Sequence, residues 1–390
     1  MRSRLTEFER RIRRSRVIDL GAGYPDVRLP RALAEALERA SVEVAKWPFT
    51  PSVARGEAAT DYLITELLNL LRLPASLHAA TLVTFSGSVA LDRAITVSAH
   101  LHDHWLIVSP VFDVIPSLIA EQPWVRPTYI NPFTANGAWD LGRLVAYIRE
   151  SRPKVMIMVS PSNPLGASLS VLELQTLMTS CRDAGTLLVL DQCLYALNPF
   201  EIHIPLLPSL DIEGLSWILT WDTAKTFGLN DEKLGFIFAS SDLAPKLRES
   251  LDIIQIDVSA RSKLLFAELF RAARLTDYPK YLSDLVARNW HTCRSLSSVG
   301  VHVSTPQAGS FALLDVTELG LSAPQAQEIF MSSAEVGMVD AGEFYFWDPL
   351  REPWVARARD SLCRIALARE AATIEDALER IRVVAAEIAG

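Results

Sequence analysis

The chain has 390 residues, enough for two or three domains at about 150 residues each. Lys and Arg number 38 against 46 Asp and Glu, a formal charge of −8, so the chain lacks the basic face that nucleic-acid binding needs. A composition of 49% hydrophobic and 22% charged residues excludes a disordered chain, and four dispersed cysteines without a CxxC pair exclude a disulfide scaffold or zinc ribbon.

The opening stretch, MRSRLTEFERRIRRSRVIDLG, is arginine-rich and amphipathic and has no apolar run of the secretory type. Glu7 and Glu9 set it apart from transit peptides, and it reads as a docking helix. No apolar run approaches the roughly 20 residues needed to span a bilayer. The expectation is a cytoplasmic protein with neither a membrane nor a nucleic-acid partner.

Short apolar runs then alternate with longer mixed segments. Thr81–Phe85, Trp105–Val108, Val155–Val159, Leu187–Leu190, Trp217–Trp221 and Leu234–Ala239 read as buried strands. Helical spacing covers Val89–His100, Leu141–Glu150 and Val171–Ala184 between them. Strands that are apolar throughout and separated by helices predict an α/β unit, a mostly parallel sheet in three layers.

After about residue 275 the pattern changes. Val301–Val303 and Ser310–Val316 suggest strands with polar neighbours, and Ala372–Ile388 reads as a long amphipathic helix. The predicted division is a large domain over 46–275 and a smaller α+β domain from 1–45 plus 276–390.

Sheets of this kind place ligands beyond the carboxyl ends of their strands. Ser86-Gly87-Ser88 follows the first strand and opens a helix, which suits an anion because free N–H groups and the helix dipole point there. The same residues also suit a plain N-cap. Ser109-Pro110-Val111-Phe112 follows the second strand, as a turn with a core aromatic or as a ring face for a flat ligand. Asn163 sits in the rigid turn SPSNPLG, where a structural Asx-turn is the alternative.

Asp191 ends a wholly apolar strand, where a carboxylate is costly unless paired or used as a cap. Lys225, in DTAKTFG, lies just past another buried strand, and a lysine near a low-dielectric site readily becomes a nucleophile.

Taken together, SPSNPLG, LVLDQ and TAKTFGL resemble the fold type I pyridoxal 5′-phosphate (PLP) enzymes, specifically the class I/II aminotransferases. The intervals fit: 28 residues from Asn163 to Asp191, 34 from Asp191 to Lys225 and 8 from Lys225 to Lys233. The resemblance runs from IDLGAGYPD (Ile18–Asp26) to LCRIALA (Leu362–Ala368).

It implies a PLP-dependent transferase-like fold and a homodimer with the site at the subunit interface. It implies that Lys225 holds PLP as a Schiff base and carries the proton once an amino acid displaces it. Asp191 would pair with the pyridine nitrogen, Asn163 would donate to the ring oxygen and Phe112 would stack on the ring. Ser86, Gly87 and Ser88 would cradle the phosphate, with Lys233 nearby. Arg364 would grip the substrate α-carboxylate, and Gly21 and Gly23 would line the substrate pocket.

Three positions depart from the family pattern. Leu194 stands where a tyrosine is usual, with Tyr195 one residue later. Asp222 stands where Ser or Thr usually meets the phosphate. Lys233 replaces an arginine, keeping charge without the bidentate fork. The leading expectation is transamination between an L-amino acid and a 2-oxo acid. The alternative keeps the external aldimine and ends in β/γ-elimination or replacement, cyclisation or oxidation, as in specialised metabolism. A non-catalytic regulator is a third reading. His100, His102 and His104 suggest either an exposed loop or a metal edge. Trp47 and Phe49 fall where the family often places an aromatic near the partner's phosphate, with core packing as the alternative.

Overall fold

The computed structural model describes residues 4–48, 50, 52–134, 136–195, 212–229, 231–345 and 360–389. A two-residue strand, β1 (Ile18–Asp19), precedes the main sheet. That sheet is built from β2 (Thr81–Thr84), β3 (His104–Val108), β4 (Arg126–Ile130), β5 (Val155–Val159), β6 (Leu187–Asp191), β7 (Trp217–Asp222) and β8 (Gly235–Ala239). Its order is β2-β8-β7-β6-β5-β3-β4, parallel throughout except for β8, which runs antiparallel between β2 and β7.

Alternate residues of each central strand enter opposite cores, as a pleated strand requires. Ile107, Ile157, Val189, Ile218 and Ile237 pack on one side. Leu106, Met156, Met158, Leu190, Leu219 and Phe236 pack on the other, within the larger core. Both faces are covered, which is why these strands read as continuous apolar runs. The expected helices occur at Gly87–Leu101, Leu141–Ser151 and Val171–Ala184. The last begins with a Ser170–Glu173 capping box and stops at Gly185, in the left-handed region at φ 68°.

Strand β4 was not expected. It is the sheet edge, with Arg126 and Pro127 exposed, and an edge tolerates the missing N–H and the charge that a central strand would not.

The C-terminal third forms a four-stranded antiparallel sheet from β9 (His302–Val303), β10 (Phe311–Asp315), β12 (Val339–Asp340) and β13 (Leu362–Ala366). Strand β11 (Val336–Gly337) pairs instead with β1, bringing the N-terminal segment to this sheet. The opening helix, Arg4–Arg14, docks there through a two-pronged Arg11–Glu328 ion pair at 2.6 and 2.8 Å, and through Ile12 against Gly21 and Gly337. The next helix, Arg31–Ala45, packs on the helix Ala260–Leu275. The expected C-terminal helix spans Ala371–Ala389. Among the described residues no helix is long and apolar enough to cross a membrane.

Candidate active site

Beyond the carboxyl end of β2, the Thr84 hydroxyl donates to the Ser86 carbonyl at 2.8 Å. Ser86 then caps the helix Gly87–Leu101, its Oγ accepting the Val89 N–H at 3.2 Å. Because β8 is reversed, its first residue, Gly235, lies between Thr84 and Asp222 at the ends of β2 and β7. A Cβ at Gly235 would collide with the Ser86 carbonyl, so glycine is what lets this turn cross the start of β8.

Asp222 ends β7, is buried, and accepts the Lys225 backbone N–H on Oδ1 at 3.2 Å. Its side chain lies directly on Gly87: a Cβ there would stand 2.5 Å from Asp222 Oδ2. Asp191, also buried, ends β6 and accepts the Cys193 N–H on Oδ1 at 3.0 Å. Burial pushes the Asp191 carboxyl above its ordinary range, with hydrogen bonds from Cys193 and the charge of Lys225 pulling it back. Burial also raises Asp222. Lys225 and Lys233 oppose that rise, and the neighbouring Asp191 adds to it. The Cys193 thiol is pushed well up by burial, with both carboxylates adding.

On the opposite side stands the segment Leu20–Tyr24. Arg369 holds it, donating to the carbonyls of Asp19 (2.7 Å), Ala22 (2.8 Å) and Tyr24 (2.7 Å). Gly23 is thereby pressed against the site: a Cβ there would meet Phe311 at 3.1 Å and Lys225 Nζ at 3.5 Å. Arg364, on β13, is buried between the rings of Phe311 (4.4 Å) and Phe344 (4.9 Å). Its Nη1 donates to Asn163 Oδ1 at 2.9 Å and its Nη2 to the Gly21 carbonyl.

The structure therefore brings Asp191, Lys225, Gly87 and Gly23 together, reaches Lys233 through Asp222, and joins Arg364 to Asn163 and Gly21. Phe112 is half-buried and packs with Phe344 and Val339, while Val111 donates to the Phe344 carbonyl at 3.0 Å. Ser88 is exposed in the first helical turn. Leu194 is buried beside Gly309 and Pro161, and Tyr195 packs on the larger core near Arg72. The Trp47 ring lies under the Arg55 guanidinium, and Phe49 falls outside the described residues. His100 stacks on Trp124, and among the described residues no cluster suits a metal ion.

Sequence reasoning missed Cys193, Phe311, Phe344 and Arg369. Only Cys193 carried a local signal, two residues after the buried aspartate.

The family model for aminotransferase class I and II matches residues 15–381. The chain belongs to that family. Members of the aminotransferase class I and II family use PLP. Human kynurenine–oxoglutarate transaminase 1 is 23% identical over 330 residues, covering 79% of this chain and 76% of that protein. Two solved structures share the fold of this aminotransferase-family chain. MppP soaked with the product 2-ketoarginine superposes with a TM-score of 0.76 at 20% identity, over 94% of this chain and 99% of that one. N-succinyldiaminopimelate aminotransferase from Mycobacterium tuberculosis gives 0.77 at 19% identity, over 98% and 97%.

Proposed function

We propose that this chain binds PLP and transfers the amino group of an L-amino acid to a 2-oxo acid, with Lys225 as the catalytic amine. The observation that carries this reading is the convergence of Asp191, Lys225, Asn163 and Arg364 from four separate chain segments on one site.

The residues fit the ring end of the cofactor. A buried carboxylate at Asp191 suits a protonated ring nitrogen, which would repay its desolvation. The Asn163 amide suits the ring oxygen, and Phe112 offers a ring face. Ser86, Gly87 and Ser88, at a helix N-terminus, suit the phosphate, with Lys233 as a nearby cation. PLP, when bound, supplies an electrophilic aldehyde and an electron-withdrawing ring.

The remaining chemistry belongs to the chain. Arg364 binds the α-carboxylate through its planar fork, whose position the rings of Phe311 and Phe344 fix. Gly23 leaves space beside Lys225 for the substrate. Lys225 Nζ takes the proton from the substrate Cα, and the aromatic walls keep water from competing.

Phe85, Ile253, Ile254 and Ile256 are exposed, and Gln255 ties their segments together, accepting the N–H of Phe85, which adjoins Ser86, and donating to the Val83 carbonyl. A second copy covering this patch would place the site at a homodimer interface. The described cysteines are free, which suits a reducing, cytoplasmic compartment. We read 46–275 as the PLP-binding domain and 1–45 plus 276–390 as the small domain.

Leu194 favours a second reading. It fills its position with an apolar side chain packed on Gly309, so no hydroxyl donor reaches the ring from there. This suits elimination, replacement, cyclisation or oxidation of an amino acid in specialised metabolism. One incubation separates the two: purified protein, PLP and a panel of amino acids, each with and without 2-oxoglutarate. Glutamate formed only with the oxo acid supports transfer. Ammonia or a side-chain fragment released without it supports the second reading.

A further inference from the structure

The phosphate end of the site contains an anion of the protein's own. The helix Gly87–Leu101 opens with Gly87 and Ser88, whose N–H groups have no acceptor within the helix. The buried Asp222 side chain is packed on Gly87 so closely that only a glycine fits at position 87. A carboxylate here lies beside the N-terminus that the helix dipole offers to a phosphate, while its Oδ1 accepts the Lys225 N–H.

We propose that Asp222 competes with the cofactor's phosphate for this helix N-terminus, and that the phosphate seats only as Asp222 takes up a proton from solvent. This rests on the reading of the site as a PLP site.

The groups facing Asp222 support it. From β6 and the turn after it come Asp191 and the Cys193 thiol, the first a second negative charge. Lys225 faces it from the helix Ala224–Phe227, and Lys233 from the turn before β8. The first turn of the helix Gly87–Leu101 adds backbone dipoles and no titratable side chain. With both carboxylates ionised, the two lysines would do no more than balance them before any ligand arrives. A phosphate, with charge near −2 at pH 7 and above, overfills the site with negative charge. Protonating Asp222 removes part of that excess, and its burial already favours the neutral form.

The test compares PLP with pyridoxal, which lacks the phosphate, using quenching of tryptophan fluorescence as the readout; Trp221 adjoins Asp222. Wild type, Asp222→Asn and Asp222→Ser are titrated between pH 6 and pH 9. Removing the carboxylate should tighten PLP binding at pH 8.5 by roughly ten- to a hundredfold, the size expected for one like charge a few ångströms away in a partly screened site. It should also flatten the wild-type loss of affinity as pH rises, and leave pyridoxal affinity nearly unchanged.

If both variants bind PLP no better than wild type, or worse, Asp222 instead positions Lys233 for the phosphate and the proposal fails. An equal change for PLP and pyridoxal would reveal a general disturbance of the site and would also overturn it. Binding of neither ligand by any form would remove the PLP reading together with this one.

Discussion

Arg364 Nη1 donates to Asn163 Oδ1 across 2.9 Å, and this bond joins β13 of the C-terminal sheet to the turn after β5 of the main sheet. The two residues are 201 positions apart in sequence. The contact therefore links the group that would bind the substrate carboxylate to the group that would touch the cofactor ring.

Arg364→Lys should raise KM for the amino acid by roughly ten- to a hundredfold while leaving PLP affinity within a small factor, because a lysine keeps the charge and loses the fork. Steady-state kinetics beside a cofactor titration checks this. A fall in kcat with unchanged KM would place Arg364 outside the substrate site.

Asp191→Asn should keep the fold and lower kcat by about two to three orders of magnitude, since a neutral amide cannot hold a proton on the ring nitrogen. Single-turnover rates with saturating PLP read the chemical step directly. Unchanged rates would show that Asp191 is a structural cap for Cys193 only.

In the ligand-free protein, Asp222 makes stability fall with rising pH. Its folded form holds a proton more tightly than the unfolded chain, because burial raises its titration point above the ordinary 3.8. Between that ordinary value and the raised one the native state binds more protons, so raising the pH across that window favours unfolding. Asp222→Asn should raise Tm at neutral pH, with the gain disappearing as pH falls below 3.8. Thermal melts across pH would contradict this if the variant were less stable at pH 7.

Much of the main sheet was legible because buried central strands are apolar at every position, and the lysine, aspartate and asparagine stand at or just beyond their ends. Edge strand β4 was not, since Arg126 and Pro127 disguise it. Phe311, Phe344 and Arg369 could not be read as site residues, because their roles arise from contacts closed over hundreds of residues. Asp222 was conspicuous in the sequence, but its contact with Gly87 depends on β8 running backwards between β2 and β7.

Gly235→Ala should destabilise the fold by about 1–3 kcal/mol, because its methyl group would collide with the Ser86 carbonyl and the backbone must move. Denaturant unfolding measures the loss. A stability equal to wild type would mean that the Ser86 turn is free to shift.

Ile256, 96% exposed, offers a probe of the proposed dimer. Ile256→Glu should shift the protein toward monomer in sedimentation velocity and lower turnover with it, since burying an unpaired carboxylate in an interface is strongly unfavourable. A wild-type protein that sediments as a monomer at assay concentration would remove this part of the account.

The central claim, that Lys225 is the residue that carries the cofactor, is tested most directly by borohydride reduction of the protein incubated with PLP, followed by peptide mass spectrometry. The account predicts a phosphopyridoxyl group on Lys225 in near-stoichiometric yield, absent when an amino-acid substrate is added before reduction. Labelling spread over other lysines, or confined to one of them with Lys225 unmodified, would contradict it.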